Sequence, residues 1–279
     1  MIKACVIGWP INHSRSPLIH GYRLKQYGIE GSYNRQPVEP SDLPAFIGGL
    51  AEAGYAGCNV TIPHKEAVFE LVSRADESTE RLGAVNTVFR RDGKTLGTNT
   101  DGDGFINSLH QAVPALSLAG KRAVVLGAGG ASLAVVNAIL EQGVAEVAVA
   151  NRTLEKARQL RQRFGKRVLP LAWAEAEDHF SECSLLVNTT SLGMKGQPPL
   201  EIALQWLDSR AVVTDIVYTP LRTSFLEHAA ARGNIVVEGL GMLLHQAVRG
   251  FSLWFGVTPQ VTPELHDLVA RDIDPDYRR

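Results

Sequence analysis

Short apolar runs alternate along the chain with stretches in which apolar residues recur every three or four positions. Cys5–Gly8 is an apolar run that predicts a strand, and the spacing over Pro17–Tyr27 predicts a helix. Strands follow at Tyr33–Val38 and at Gly57–Ile62, the latter ended by Pro63. Helices are expected over Leu43–Ala53, His64–Val72 and Asp76–Leu82. Val85–Phe89 and Thr95–Thr98 flank Asp92-Gly93, a pair that favours a tight hairpin turn. Phe105–Val113 reads as a crossing helix, and a second series begins near Lys121. Its strands are expected at Arg122–Leu126, Val147–Ala150, Leu185–Asn188, Val212–Ile216 and Ile235–Val237. Ala131–Glu141 is helical in pattern, Lys195–Pro199 is a loop, and helices close the chain over Met242–Phe255 and Pro263–Ala270. Alternation of this kind predicts an α/β fold. The expected division is two domains with a cleft between them, residues 1–103 plus 240–279 and residues 104–239.

At 279 residues and 45% hydrophobic, the chain is long enough to bury one large core or two modest ones. A net charge of -1 gives no general pull toward nucleic acid or an anionic membrane, so neither partner is expected. No apolar stretch approaches the length of a membrane span, and the run ending at Gly8 is too short for a signal peptide. Cys5, Cys58 and Cys183 are few and scattered, matching neither a disulfide framework nor a zinc spacing. A reduced, cytoplasmic setting is the expectation. The histidines show no metal-ligand spacing either, so no metal is expected.

The candidate chemistry starts at Arg122-Ala-Val-Val-Leu-Gly127-Ala128-Gly129-Gly130-Ala131-Ser132, a strand running through closely spaced glycines into a helix. Glycines let the backbone turn tightly and keep side chains away from a pyrophosphate, and the helix N-terminus adds partial positive charge. About 20 residues on, a dinucleotide fingerprint places an acid that accepts from the ribose 2′-hydroxyl. Here the strand ends instead in Asn151-Arg152-Thr153. A carboxylate would repel a 2′-phosphate, whereas Arg152 offers it a planar charged fork, with Lys156 close behind. This pattern selects NADP over NAD.

Four further segments are candidates. Ser14-Arg-Ser16-Pro17 opens a helix, with Pro17 suited to its first position and Ser16 to its N-cap. The two hydroxyls beside a helix N-terminus also suit a small carboxylate. Asn59-Val-Thr61-Ile-Pro63-His64-Lys65 puts a lysine just past the carboxyl end of a strand, where open α/β sheets hold ligands. Gly83-Ala-Val-Asn86-Thr87 and Asn99-Thr100-Asp101-Gly102 are turn-forming sequences that also cluster polar groups at strand ends.

Taken together, these segments and the closing Gly239-Leu-Gly-Met242-Leu-Leu-His-Gln246-Ala resemble the shikimate dehydrogenases, in the family's order and over nearly the whole chain. The resemblance implies an oxidoreductase acting on a CH–OH group, reversibly reducing 3-dehydroshikimate to shikimate with NADPH in aromatic amino-acid biosynthesis. It implies a substrate domain with a mainly parallel sheet, formed by 1–103 and 240–279, and a Rossmann-type NADP domain over 104–239. By the same resemblance, Ser14, Ser16 and Tyr218 would bind the substrate carboxylate. Thr61, Asn86 and Gln246 would hold ring hydroxyls, and Lys65 and Asp101 would flank the hydroxyl being oxidised. Gly127, Ala128, Gly129, Gly130, Ala131 and Ser132 would cradle the pyrophosphate. Asn151, Arg152, Thr153 and Lys156 would surround the 2′-phosphate, with Gly239 and Met242 near the nicotinamide.

A free lysine titrates near ~10.4, so Lys65 needs help to act as a base. A neighbouring Asp101 favours the ammonium and burial opposes it, which makes a coupled pair sharing one proton the working hypothesis. Because substrate and cofactor would occupy different domains, closure on binding both is expected. The chain departs from the family at Trp9, Glu238 and Asp103, the last an extra acid near the pair that fits a helix first turn. Competing readings are a quinate/shikimate dehydrogenase with relaxed substrate or cofactor choice, a methylene-tetrahydrofolate dehydrogenase, and a non-catalytic shikimate or quinate sensor. A homodimer is left open.

Overall fold

A computed structural model describes residues 1–278. In chain order the elements are β1 (Ile2–Gly8), α1 (Ser16–Gln26), β2 (Gly31–Pro37), α2 (Leu43–Gly48), β3 (Tyr55–Val60), α3 (Lys65–Leu71), β4 (Ser73–Arg74), α4 (Glu77–Leu82), β5 (Thr87–Arg91), β6 (Lys94–Thr98) and α5 (Asp101–Ala112). They continue with β7 (Arg122–Leu126), α6 (Gly130–Glu141), β8 (Glu146–Asn151), α7 (Leu154–Phe164), β9 (Val168–Ala172), β10 (Leu185–Asn188), β11 (Val212–Asp215), α8 (Ser224–Ala231), β12 (Ile235–Val237), α9 (Gly239–Phe255) and α10 (Pro263–Ile273). The described chain forms two compact units, one of Met1–Asp101 with Leu244–Val269 and one of Gly102–Leu243 with the described residues from Ala270 onward.

The first unit is built on a sheet of order β2-β1-β3-β5-β6-β4. Strands β1, β2 and β3 are parallel, whereas β5 and β6 form an antiparallel hairpin beside β3. Asp92 and Gly93 both have positive φ, 53° and 74°, as the two-residue hairpin turn requires. Both faces of the sheet are covered, so β1 reads as a continuous apolar run. Cys5 and Ile7 face a core with Val60, Val68 and Val85, while Ala4 and Val6 face one with Phe251, Trp254 and Phe255. The Arg23 guanidinium is fully buried on α1 and donates to the Ala247 and Leu244 carbonyls of α9 at 2.7 and 3.0 Å.

The second unit carries an all-parallel sheet of order β12-β11-β10-β7-β8-β9. This is the doubly wound order, whose direction reverses between β7 and β10, where such sheets hold ligands. Alternation along the strands sends Ala123, Val125, Val147 and Val149 into one core and Val124, Leu126, Ala148 and Ala150 into the other. Helix α5 lies close against α6, since a Cβ on Gly102 would come within 3.1 Å of the Ala138 Cβ.

Several expectations shift. The pattern did not reveal β9, because Pro170 interrupts it; the strand is the sheet edge, where a missing N–H is tolerated. Helix α2 stops at Gly48, before the paired Gly49, and Leu50–Ala53 form turns. Arg15 and not Ser16 occupies the N-cap of α1, with Ser16 already helical.

Candidate active site

In the first unit, the polar groups gather where β1, β3 and β6 end. The strand-to-helix turn after β3 delivers Thr61 and then Lys65, the first residue of α3. A Cβ on Gly8 would fall 2.7 Å from the Thr61 Cγ2, so glycine at the end of β1 lets the two turns touch. His64 is buried and its Nε2 lies 2.8 Å from the Val38 carbonyl, which anchors the turn immediately before Lys65. Lys65 Nζ donates to Asp101 Oδ2 at 2.6 Å, and the other carboxylate oxygen accepts from Asn86 Nδ2 at 2.7 Å. The pair is only partly open, with side-chain exposures of 31% for Lys65 and 15% for Asp101.

Asn86 is itself oriented by Thr87 and Thr100, which donate to its Oδ1 from a hydroxyl and an N–H, each at 2.9 Å. The Thr100 hydroxyl also donates to the Gln246 carbonyl at 2.8 Å, drawing that turn of α9 to the same cluster. Lys65, Asn86, Asp101 and Gln246 are thus brought together. Ser14 lies on the turn from β1 into α1 and the buried Ser16 is the first residue of that helix; the Ser14 hydroxyl accepts from the Ser16 N–H at 3.3 Å. Because Ser16 is not the cap, its hydroxyl is not committed to one. Arg35 forks onto the Ser14 carbonyl, through Nε at 2.9 Å and Nη2 at 2.5 Å, and was invisible to sequence reading because only strand pairing places it there.

The second unit holds an open cavity of about 460 Å³, lined by residues from the ends of β10, β7, β8 and β9. Gly127, Ala128, Gly129, Asn151, Arg152, Thr153 and Lys156 all line it. Gly127 has φ +105°, and a Cβ there would come 2.8 Å from the Thr189 Oγ1. Above Gly129 and Gly130 nothing lies within 4 Å, so the turn presents bare backbone to open space. The Asn151 Oδ1 accepts from the Ala128 N–H at 3.1 Å and its Nδ2 donates to the Thr153 carbonyl at 2.9 Å, stapling the glycine turn to the Arg152 loop.

Gly130, Ala131 and Ser132 form the first turn of α6 outside the lining; the Ser132 side chain is buried and donates to the Gly129 carbonyl at 2.5 Å. Tyr218, Gly239 and Met242 lie elsewhere in this unit. Tyr218 follows a turn held by Asp215, which accepts from Asn188, the Val217 N–H and Thr223 at 2.9, 2.9 and 2.7 Å. Burial pushes the Asp215 carboxyl up despite these donors. A Cβ on Gly239 would come 2.5 Å from the Val217 carbonyl, so glycine there permits a close backbone crossing. Met242 packs at the edge of the core. Sequence reading missed Trp173, Thr189, Thr190 and Glu201, which also line the cavity. The polar run after Asn188 was the available signal for two of them, but only the sheet order sets β10 beside β7. Trp9 is exposed at the end of β1, and Asp103 is exposed on the first turn of α5.

Comparison with known proteins decides the family. The model described as the shikimate dehydrogenase substrate binding domain matches residues 6–88. Those described as shikimate / quinate 5-dehydrogenase and shikimate 5'-dehydrogenase C-terminal domain match residues 109–194 and 239–263. A protein of Azorhizobium caulinodans named shikimate dehydrogenase (NADP(+)) is 50% identical over 273 residues, which is 98% of this chain and 97% of its own. The chain belongs to the shikimate dehydrogenase family. A second family member of the same name, from Nitrobacter hamburgensis, is 53% identical over 97% of this chain and 94% of its own. Among solved structures, the shikimate 5-dehydrogenase of Thermus thermophilus, in complex with NADP(H) and shikimate, has a TM-score of 0.85 at 36% identity and covers 98% of this chain and 100% of its own. A quinate dehydrogenase from Corynebacterium glutamicum, in complex with NAD, has a TM-score of 0.88 at 30% identity, over 96% of this chain and 98% of its own. The residues of this shikimate dehydrogenase family member fit NADP: bare glycine backbone faces open space, and Arg152 and Lys156 stand where β8 ends.

Proposed function

We propose that the chain reversibly reduces 3-dehydroshikimate to shikimate with NADPH, the shikimate-forming step of aromatic amino-acid biosynthesis. The observation that carries this reading is the Lys65 Nζ held 2.6 Å from Asp101 Oδ2, with Asn86 on the other carboxylate oxygen. NADP, when bound, supplies the hydride donor or acceptor, which leaves the chain to bind, orient and manage one proton. As the carbinol carbon of shikimate loses hydride, its hydroxyl proton passes to the Lys65–Asp101 pair. In the opposite direction the pair returns that proton to the carbonyl oxygen. Ser14 and Ser16 bind the substrate carboxylate, while Thr61, Asn86 and Gln246 hold ring hydroxyls.

In the second unit, the turn Gly127–Ser132 cradles the pyrophosphate, while the Gly127, Ala128 and Ser132 N–H groups hold the turn itself in shape. Asn151, Arg152, Thr153 and Lys156 receive the 2′-phosphate, and Gly239 and Met242 neighbour the nicotinamide. The absence of an acid from Asn151-Arg152-Thr153 supports NADP over NAD. The three cysteines are free thiols in the structure, in keeping with a cytoplasmic setting. No helix among the described residues is long and apolar enough to cross a membrane. A homodimer is a separate question that sedimentation of the purified protein answers.

The test crosses shikimate and quinate against NADP and NAD while following reduced-nicotinamide absorbance. Turnover confined to shikimate with NADP is the expected result. Comparable rates with quinate or NAD would move the chain to a relaxed quinate/shikimate dehydrogenase, and silence in all four would make it a sensor.

A further inference from the structure

The Asp76 carboxylate touches none of the proposed reacting groups, yet it accepts four hydrogen bonds. As the N-cap of α4 it accepts from the Thr79 N–H at 2.9 Å. The same oxygen accepts from the Thr79 hydroxyl at 2.6 Å. Its other oxygen accepts from the Thr98 hydroxyl at 2.7 Å and from Arg249 Nη2 at 3.0 Å. A helix cap needs only the first of these. Partial burial pushes the Asp76 carboxyl up, but the bonds from Thr79 and Thr98, with the Arg249 guanidinium, outweigh it and hold the group below its ordinary value.

Two connections lead from Asp76 to the substrate site. The fully buried Thr79 hydroxyl donates to Asp76 and accepts from the Asn99 N–H at 3.0 Å. The Asn99 side chain then accepts from the Asp101 N–H at 3.1 Å and donates to the Ala84 carbonyl at 3.0 Å. Asn99 and Thr100 are the entire link from β6 to α5, so this relay sets where the Asp101 backbone starts. The other connection is the ion pair to Arg249, which lies one turn beyond Gln246 on α9.

We propose that Asp76 is a positioning residue for the reaction, setting Asp101 through Thr79 and Asn99 and setting the Gln246 turn of α9 through Arg249. The inference rests on the roles proposed above for Asp101 and Gln246. It separates two arms that substitution addresses one at a time. In Asp76→Asn the cap is retained, since Asn caps as well as Asp, and the charge that holds Arg249 is lost. The KM for shikimate should rise about tenfold, with kcat within about threefold of the parent. Thr79→Val keeps the side-chain shape and removes the hydroxyl relay; kcat should fall about tenfold with little change in KM, as misplaced catalytic groups cost turnover. Arg249→Lys should recover part of what Arg249→Met loses in KM.

Steady-state kinetics of these variants are measured beside thermal melting and equilibrium binding of NADP, which should stay at parental affinity. If Asp76→Asn fails to fold, Arg249→Met and Thr79→Val still remove one arm each with the carboxylate in place. Parental kcat and KM in the folded variants would overturn the inference, as would a matching loss of NADP affinity, the sign of general loosening. Asp101→Ala and Gln246→Ala belong in the same series. If these two also leave turnover and KM intact, the site assignment itself fails; if they disable the enzyme while the Asp76 and Thr79 variants do not, only the positioning role fails.

Discussion

The Asn86 amide has its oxygen occupied by the Thr87 hydroxyl and the Thr100 N–H, so its NH2 group faces the Asp101 carboxylate. Asp101 therefore holds donors on both oxygens, and the Lys65 Nζ is kept at hydrogen-bond distance for proton exchange. On the assignment proposed above, Lys65→Ala removes the proton-carrying group but few substrate contacts. It should lower kcat about 10²–10⁴-fold with a much smaller change in the KM for shikimate, measured by steady-state kinetics. The opposite pattern would make Lys65 a binding residue. In the other unit, Arg152 is exposed beside the cavity and carries the phosphate reading. Arg152→Ala should weaken NADP by roughly 10–100-fold, in line with about 1.5–3 kcal/mol for a charged hydrogen bond, and leave NAD nearly unaffected. Equal losses for the two dinucleotides would show that Arg152 does not read the 2′-phosphate.

At the scale of elements, both sites sit at strand-to-helix turns whose geometry depends on glycine. The turn between β7 and α6 needs Gly127 in a positive-φ conformation with Thr189 packed against it. Gly127→Ala would strain the backbone by about 1–3 kcal/mol and push a methyl toward Thr189. The expected outcome is a lower melting temperature and weaker NADP binding, with binding of shikimate alone unchanged in calorimetry. Loss of shikimate binding as well would indicate a defect beyond the turn. Elements with one dominant period were legible in the chain: β7 and β8 as continuous apolar runs, α6 as a helical repeat. Arg15 displaced Ser16 as the cap of α1 because capping propensity is a local preference, whereas the chain path out of β1 decides which residue turns first.

Across the molecule, burial of titratable groups sets the response to pH. His20 is fully buried, stacked on Tyr33, with neither ring nitrogen hydrogen-bonded. Burial, and then the nearby Arg23 charge, hold its pKa well below the ordinary imidazole value. Burial likewise brings His245 down to about 4, again with Arg23 adding to it. Both native values are depressed, so an unfolded imidazole gains a proton near pH ~6.5 that the native one refuses. The stability they permit is complete above that pH and is lost as pH falls toward the native values, with uptake of about two protons on unfolding near pH 5. Denaturant titrations at several pH values should show this slope, and His20→Phe should reduce it by about one proton. A pH-independent midpoint between pH 7 and 5 would refute the assignment.

The chain by itself determined the α/β class, the two βα series, the glycine turn with its arginine in place of an acid, and the polar motifs of the proposed substrate site. These are legible because each is written locally: a period of side chains, a glycine that a turn requires, a charge that suits a phosphate. Only the tertiary structure decided that Asn86, Asp101, Lys65 and the Gln246 turn share one hydrogen-bond network, that Arg35 grips Ser14, and that Trp173 and Thr189 border the cavity of the second unit. Strand order and helix packing bring such groups together across long stretches of chain, and no local pattern encodes which strand lies beside which. The edge position of β9 has the same origin, since a proline is permitted there only because no further strand needs its N–H.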